Sequence, residues 1–435
     1  MLRIDVETDN KTFLNISSFQ ILVMFRRGLF YSYLSIYLLF FLGLSVTETT
    51  LFSSLPMIMN VLSQTFVWGK ISDKLQLRRT LIIIGELSAA VLTSVVWYIH
   101  TIPGSKYTAG YVLIIGMTII EIFWSMSNVA WSALLSDIYP PEQRSGLQGL
   151  LASIGAVGRF IGILIGGLLY DGLARYYEGW GFHEGALFFI ATGVMIVSTI
   201  PMFFVPEGGA KSRPHDQINI SSIPKANDSD NLRAVSRKYV IFLLAMAFIN
   251  FGVNSITLLK SQYLILEEGF NISSQVLSYI LSTSTVAIFI IGLFFKSFSR
   301  KMRDETLLIL GGVISILYLT GFVFAHSLAT IYVSEFLGGA AMVIITASAY
   351  SYASKLIPAD KRGKQFAWFN ATFFLSWGLP GTLITGPLVD ILIKSGMTRV
   401  FSYKMAFVAA AIMAVIGTIV LLMNFSTKKI KVLAV

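Results

Sequence analysis

The stretch Gly69 to Thr80, GKISDKLQLRRT (residues 69–80), holds Lys70, Lys74, Arg78 and Arg79 around a single carboxylate, Asp73. To its left, residues 51–68 read LFSSLPMIMNVLSQTFVW and carry no charge. To its right, residues 81–99 read LIIIGELSAAVLTSVVWYI and carry one, Glu86. A charged turn between two apolar walls of this length is the pattern of two membrane-crossing helices and the loop that joins them.

Composition extends that reading to the whole chain. Its 435 residues are 55% hydrophobic and 13% charged, whereas soluble domains carry roughly a quarter charged residues. Apolar runs of about 20 residues recur from end to end, each long enough to span the hydrocarbon as a helix. Backbone in lipid must satisfy itself, which leaves helices or a closed barrel, and runs without strict alternation favour helices. Twelve spans are predicted, near residues 20–44, 51–68, 80–100, 109–136, 146–170, 184–205, 239–264, 275–298, 306–326, 328–354, 364–391 and 402–425. Residues 206–238 are rich in Pro, Ser, Asn and Asp and read as a flexible linker. The predicted organisation is a bundle over 1–205, the linker over 206–238 and a bundle over 239–435. The fold class is all-α integral membrane, with twelve transmembrane helices in two pseudo-symmetric six-helix bundles.

The net charge of +10 acquires its meaning from where the cations fall. With the N-terminus in the cytoplasm, outer loops hold only Lys106, Arg175, Lys260, Lys394, Arg399 and Lys404 of the 33 basic residues. Both termini and the linker are therefore expected to be cytoplasmic, in a multi-pass protein of the cell (plasma) membrane. The charge is topology, and no nucleic-acid partner is expected. The first residues, MLRIDVETDNK, lack the layout of a cleavable signal, so the first span is expected to direct insertion itself.

The halves repeat each other. Span four ends in SDIYPPEQRSGLQG and span ten in SKLIPADKRGKQFA, so that Arg144 follows Pro140 by four positions, as Arg362 follows Pro358. Six-span repeats are a transporter architecture, with the site at mid-membrane between the repeats.

These features together resemble the major facilitator superfamily. The family's second-to-third-span turn is Gly-x-x-x-Asp, a basic residue, x-Gly, and two basic residues. Gly69, Asp73, Lys74, Arg78 and Arg79 match it, while the second glycine is replaced by Gln76 or Leu77. The turn after span four, Asp137, Pro140 and Arg144, is also similar to the family's. The resemblance implies gating by Gly69, Asp73, Arg78, Arg79, Arg144 and Arg362, with the aspartate holding the halves together at the cytoplasmic side. The plainer reading of the cations is topology alone. Span five carries Gly155, Gly158, Gly162, Gly166 and Gly167, a face on which another helix can approach closely. Family antiporters have a proline where Ile163 stands, so helix packing is the preferred reading.

Charged residues inside spans are costly and need a reason. Arg159, near the middle of span five, is read as a cation for an anionic or polyhydroxyl substrate, or as half of a structural ion pair. Its expected partner is Glu121, at similar depth in span four. Glu121, Trp124, Asn128 and Trp131 share one helical face. The resemblance implies that spans one, four, seven and ten line the cavity. The substrate-binding candidates are Arg159, Glu121, Trp124, Asn128, Asn250, Asn254 and Tyr37. The proton-carrier candidates are Glu121, Glu335 and Glu86, in that order. Arg26 and Arg27 are expected to snorkel at the cytoplasmic end of span one.

With no cysteine, scattered histidines and no phosphate-binding loop, no metal, cofactor or direct nucleotide coupling is expected. The predicted function is secondary active transport of a small organic solute by alternating access, as symport or antiport, with the proton gradient as energy source because carboxylates lie within the spans. The alternatives are a gradient-driven facilitator, an integral membrane enzyme or a transporter-like sensor. No catalytic cluster supports the enzyme, and the partners expected are substrate, protons and the bilayer, with a monomer as the working unit.

Overall fold

The computed structural model describes residues 10–139, 141–173, 179–209, 229–357 and 362–426, and the ordered elements among them are helical. The helices are α1 Asn10–Ile36, α2 Val46–Ser63, α3 Gly69–Leu75, α4 Arg78–Thr101, α5 Lys106–Ile138, α6 Pro141–Tyr170, α7 Trp180–His183 and α8 Ala186–Met202. The second half continues with α9 Ser229–Ser255, α10 Leu259–Ile265, α11 Ser274–Lys301, α12 Asp304–Val323, α13 Leu328–Leu356, α14 Arg362–Ser376, α15 Gly386–Lys394 and α16 Arg399–Ser426. Among the described residues eight helices are long and apolar enough to cross a bilayer, and nine if Trp368–Ser376 and Gly381–Lys394, bent by 44°, are taken as one span. Helices α1, α2 and α8 complete the twelve.

Local chemistry sets the ends. Ser45 caps α2 reciprocally with Glu48, satisfying two backbone donors at once. Ser105 and Ser327 cap α5 and α13 in the simpler way. Helix α1 begins ten residues before the predicted span, at Asn10, because the mixed polar and apolar residues 10–19 continue it. That extension moves Arg26 from the end of a helix to its middle.

The chain divides into two compact units, residues 1–214 with 264–285, and residues 215–263 with 286–435. The start of α11 groups with the first unit. There Ser274 donates to the Gly167 carbonyl at 2.7 Å and to Asp171 at 3.0 Å.

Packing inside each unit follows one plan. In the first, α1 packs on α6 and α8, and α4 on α5 and α8. In the second, α9 packs on α14 and α16, and α12 on α13 and α16. These are the equivalent pairs of the two repeats. The glycines of α6 serve its seam with α1. A Cβ at Gly158 would lie 2.1 Å from the Ile21 carbonyl oxygen, and one at Gly162 would lie 2.0 Å from that of Phe25. Gly28 returns the contact, since a Cβ there would run into the Arg159 carbonyl oxygen. The glycine face is a helix-packing surface, as the sequence suggests.

Candidate functional site

Four helices of the first unit bring a polar cluster into its interior. Arg26 of α1 is 2% exposed and its Nη1 lies 2.6 Å from Glu86 Oε2 of α4. Ser127 of α5 donates to the other carboxylate oxygen at 3.1 Å. The guanidinium stands 4.1 Å from the centre of the Trp124 ring, a cation–π contact. Arg26 therefore does not snorkel. Its guanidinium is held in the interior, where Glu86 supplies the counter-charge. Arg27, one residue on, is exposed.

Glu121 of α5 is buried and accepts from Asn60 Nδ2 of α2 at 2.5 Å. Gln64 Nε2 in turn donates to Asn60 Oδ1 at 2.6 Å. The anticipated pairing of Glu121 with Arg159 gives way to these partners. Similar depth suggested the pair, but depth does not decide which helices pack together. Helix α6 packs on α1, whereas α5 packs on α2 and α4. Arg159 is half-buried on α6.

Beside the cluster, the Tyr31 ring lies 5.9 Å from Trp124 and stacks on Phe52 at 5.5 Å. Trp124 is buried and its indole Nε1 has no hydrogen-bond partner. Farther along the same face Asn128 and Trp131 are half-buried, and Trp131 packs 5.0 Å from Phe19. Tyr37 sits in a π-helical turn, Tyr37–Phe41, fully buried. Its hydroxyl lies 3.2 Å from His100 Nε2 and its ring stacks on Phe182 at 5.1 Å.

The second unit has its own pair. Lys260 Nζ of α10 donates to Glu335 Oε1 of α13 at 2.6 Å. Lys260 was expected in an outer loop, yet its side chain is largely buried, and Glu335 Oε2 has no partner. Asn254 Nδ2 donates to Ser376 at 2.7 Å. Asn250 is buried, with its Nδ2 unpartnered.

The α2–α4 turn forms a third group. Gln76 adopts the left-handed conformation, φ 55°, that the family's glycine would supply, which identifies it as the replaced position. Arg78 is buried, with Nε 3.3 Å from Asp137 Oδ2 at the end of α5, and it also donates to Ser72. Gly209 N donates to the same Asp137 oxygen at 2.9 Å. Arg79 pairs with Glu207 at 3.0 Å, and Glu207 also accepts from Thr80. Asp73 is exposed, with Arg78 3.5 Å away in the same turn. Gly69 begins α3 directly after a π-helical turn, Gln64–Trp68. The side chains of Arg144 and Arg362 lie outside those described.

The family model of the major facilitator superfamily matches residues 16–381 and, again, 263–432. The chain belongs to the major facilitator superfamily. Among relatives, the multi-drug resistance efflux pump PmrA homolog of Lactococcus lactis subsp. lactis (strain IL1403) is 22% identical over 401 residues, 88% of this chain and 87% of that protein. Among solved structures, a bacterial homolog of the human lysosomal transporter Spinster, inward-facing and unoccupied, superposes with a TM-score of 0.71 at 15% identity. It covers 95% of this chain and 96% of its own. The nucleoside transporter NupG superposes with a TM-score of 0.70 at 13% identity, over 96% of this chain and all of its own. Likeness at this identity establishes the superfamily fold.

Arg26, Asn60 and Lys260 are the cluster residues that reading the sequence for candidates passed over. Arg26 had a usable signal. Two arginines with apolar residues on both sides cannot both reach water unless the helix ends there, and nothing in residues 15–25 ends it.

Proposed function

We propose that this superfamily member carries a small organic solute across the cell membrane by alternating access, and couples that movement to protons through Glu121. The observation that carries the proton assignment is the contrast among three buried carboxylates. Glu86 is paired with Arg26 and Glu335 with Lys260, whereas the hydrogen bond to Glu121 comes from the neutral amide of Asn60. Neutralising Glu86 or Glu335 strands a buried cation. Neutralising Glu121 breaks no direct ion pair, so it can take and release a proton at lower cost. Asn128, Asn250 and Asn254 supply polar groups for substrate on the helices that line the cavity in this family, and Arg159 and Tyr37 stand as further candidates. Asp73, with Arg78, Arg79 and Gly69 around it, serves the gate. Arg144 and Arg362 take the equivalent places at the ends of spans four and ten. The relative named as a multi-drug efflux pump supports an organic solute as cargo.

The test uses the full-length protein in proteoliposomes with an imposed pH gradient, a solute panel and an internal pH dye. Solute accumulation driven by the gradient and abolished by a protonophore is expected. Glu121→Gln should keep counterflow exchange while losing accumulation. Flux that ignores the pH gradient in the wild-type protein would refute proton coupling and leave a facilitator.

A further inference from the structure

Two spans of the second unit are broken, and the breaks are joined. In span eleven, α14 ends at Ser376, and a π-helical turn, Gly381–Thr385, leads into α15, with a bend of 44° between the two parts. The cause is local, because residues 377–381 read WGLPG and Pro380 offers no N–H to a helix. In span seven, α9 ends at Ser255 and α10 begins at Leu259. Residues 253–259 read VNSITLL, with neither Gly nor Pro, so that break has no cause in its own sequence.

A side chain inserted into the backbone ladder also breaks a helix, and Thr385 supplies one. Its hydroxyl donates to the Ser255 carbonyl at 2.9 Å. In a continuous helix that carbonyl would serve the Leu259 amide. Both residues are closed to solvent, Thr385 at 0% and Ser255 at 2% exposure. A second tie, from Asn254 Nδ2 to Ser376 Oγ at 2.7 Å, holds the two breaks side by side.

The first repeat offers an internal comparison. Asp171 follows Arg144 by 27 positions, whereas Asp390 follows Arg362 by 28. One added residue is what a π-helical turn accommodates beyond an α-helical one. Helix α6, without that residue, runs unbroken from Pro141 to Tyr170 and packs on an α1 unbroken from Asn10 to Ile36.

We propose that spans seven and eleven form one hinge, in which Thr385 is the positioning residue that holds span seven broken. Releasing its hydroxyl from Ser255 lets α9 and α10 join into one helix. The break matters because of what α10 carries. Lys260 donates to Glu335 at 2.6 Å, and Gln262 accepts from Tyr403 at 2.9 Å. Joining the helices turns α10 against these partners, so the hinge sets whether Lys260 reaches Glu335. Span seven thus has two arrangements, and span eleven selects between them as the protein changes state. This goes beyond the proton coupling assigned to Glu121 and holds whichever solute is carried.

The experiment is hydrogen exchange, followed by mass spectrometry on the purified full-length protein in nanodiscs. Thr385→Val keeps the shape and loses the donor. Amides of residues 257–262 should then exchange at least about threefold more slowly, because the ladder closes. Simple loss of a packing contact would speed them instead. Thr385→Ser keeps the hydroxyl and should match the wild type. Thr372→Val removes a hydroxyl that bonds Phe369 within its own helix at 2.7 Å, and should leave residues 257–262 unchanged. Unchanged or faster exchange in Thr385→Val overturns the hinge, as does a Thr385→Ser protein that behaves like Thr385→Val. Should Thr385→Val fail to fold, Thr385→Cys, a weaker donor, is read the same way. Slower exchange supports the hinge, and unchanged or faster exchange refutes it.

Discussion

Lys260 of α10 and Glu335 of α13 are joined at 2.6 Å, with Glu335 wholly buried and its second oxygen unpartnered. Removing one member of such a pair leaves the other charge uncompensated in low dielectric, a cost of about 3–5 kcal/mol. Lys260→Met alone should lower the melting temperature of the purified protein sharply, and adding Glu335→Gln should restore most of it. A double variant as unstable as Lys260→Met would show that the lysine acts through packing, not charge.

Two further pairs allow a graded comparison. Arg78 with Asp137 is buried, at 5% and 4% side-chain exposure, whereas Lys355, which pairs with Asp304, is 64% exposed. Exposed pairs contribute under about 1 kcal/mol, and screening by salt reduces them further. Arg78→Met is expected to destabilise by about 3 kcal/mol or more, and Lys355→Met by under about 1 kcal/mol. Melting curves of the two variants at low and high salt decide the order.

At the α1–α6 seam, the atom that a new methyl would strike is backbone. Gly162→Ala places a Cβ 2.0 Å from the Phe25 carbonyl oxygen, and neither helix has a side chain to move aside. Forced overpacking costs about 1–3 kcal/mol. Gly193→Ala, where a Cβ meets nothing within 4 Å, is the matched control and should melt with the wild type.

Asp73 is 81% exposed, with Arg78 3.5 Å away, so its loss should barely affect stability. Asp73→Asn is expected to insert and melt normally while slowing initial transport rates, through a weaker outward-facing state. Unchanged rates would leave Asp73 without a gating role.

Orientation is open to labelling, because the chain has no cysteine. Ser273→Cys, at an exposed position before α11, should react with an impermeant maleimide on intact cells. Ser229→Cys should react only after lysis. The reverse pattern would invert the predicted topology.

The spans were legible because a helix in lipid must announce itself by length and apolarity, and each of the twelve predicted runs contains or overlaps a helix. The polar residues were legible one at a time. Glu86, Glu121 and Glu335 stand out against apolar neighbours. Their partners did not, because partnership depends on which helix lies beside which. Arg159 seemed the natural partner of Glu121 by depth, and the packing of α6 on α1 gave Glu121 to Asn60 instead. The glycine ladder of α6 was the sequence feature that foretold a close helix contact, and it carried no label for the helix it would meet.

The pairs at the ends of α4–α5 and α12–α13 occupy equivalent places in the two repeats. Arg78 lies seven positions before Gly85 as Asp304 does before Gly311, and Asp137 lies three before Pro140 as Lys355 does before Pro358. The signs are exchanged. This bears on how a duplicated chain keeps its halves apart while it is being made. Both bundles use the same order of helix contacts, so α4 arriving in the bilayer could dock on α13 as well as on α5. That mistaken docking would set Arg78 against Lys355, and α12 on α5 would set Asp304 against Asp137. Like charges brought together in this way repel, the buried Asp137 and Asp304 more than the exposed Lys355. The swapped signs thus make each helix complementary in charge to its own neighbour and not to the neighbour's counterpart in the other repeat.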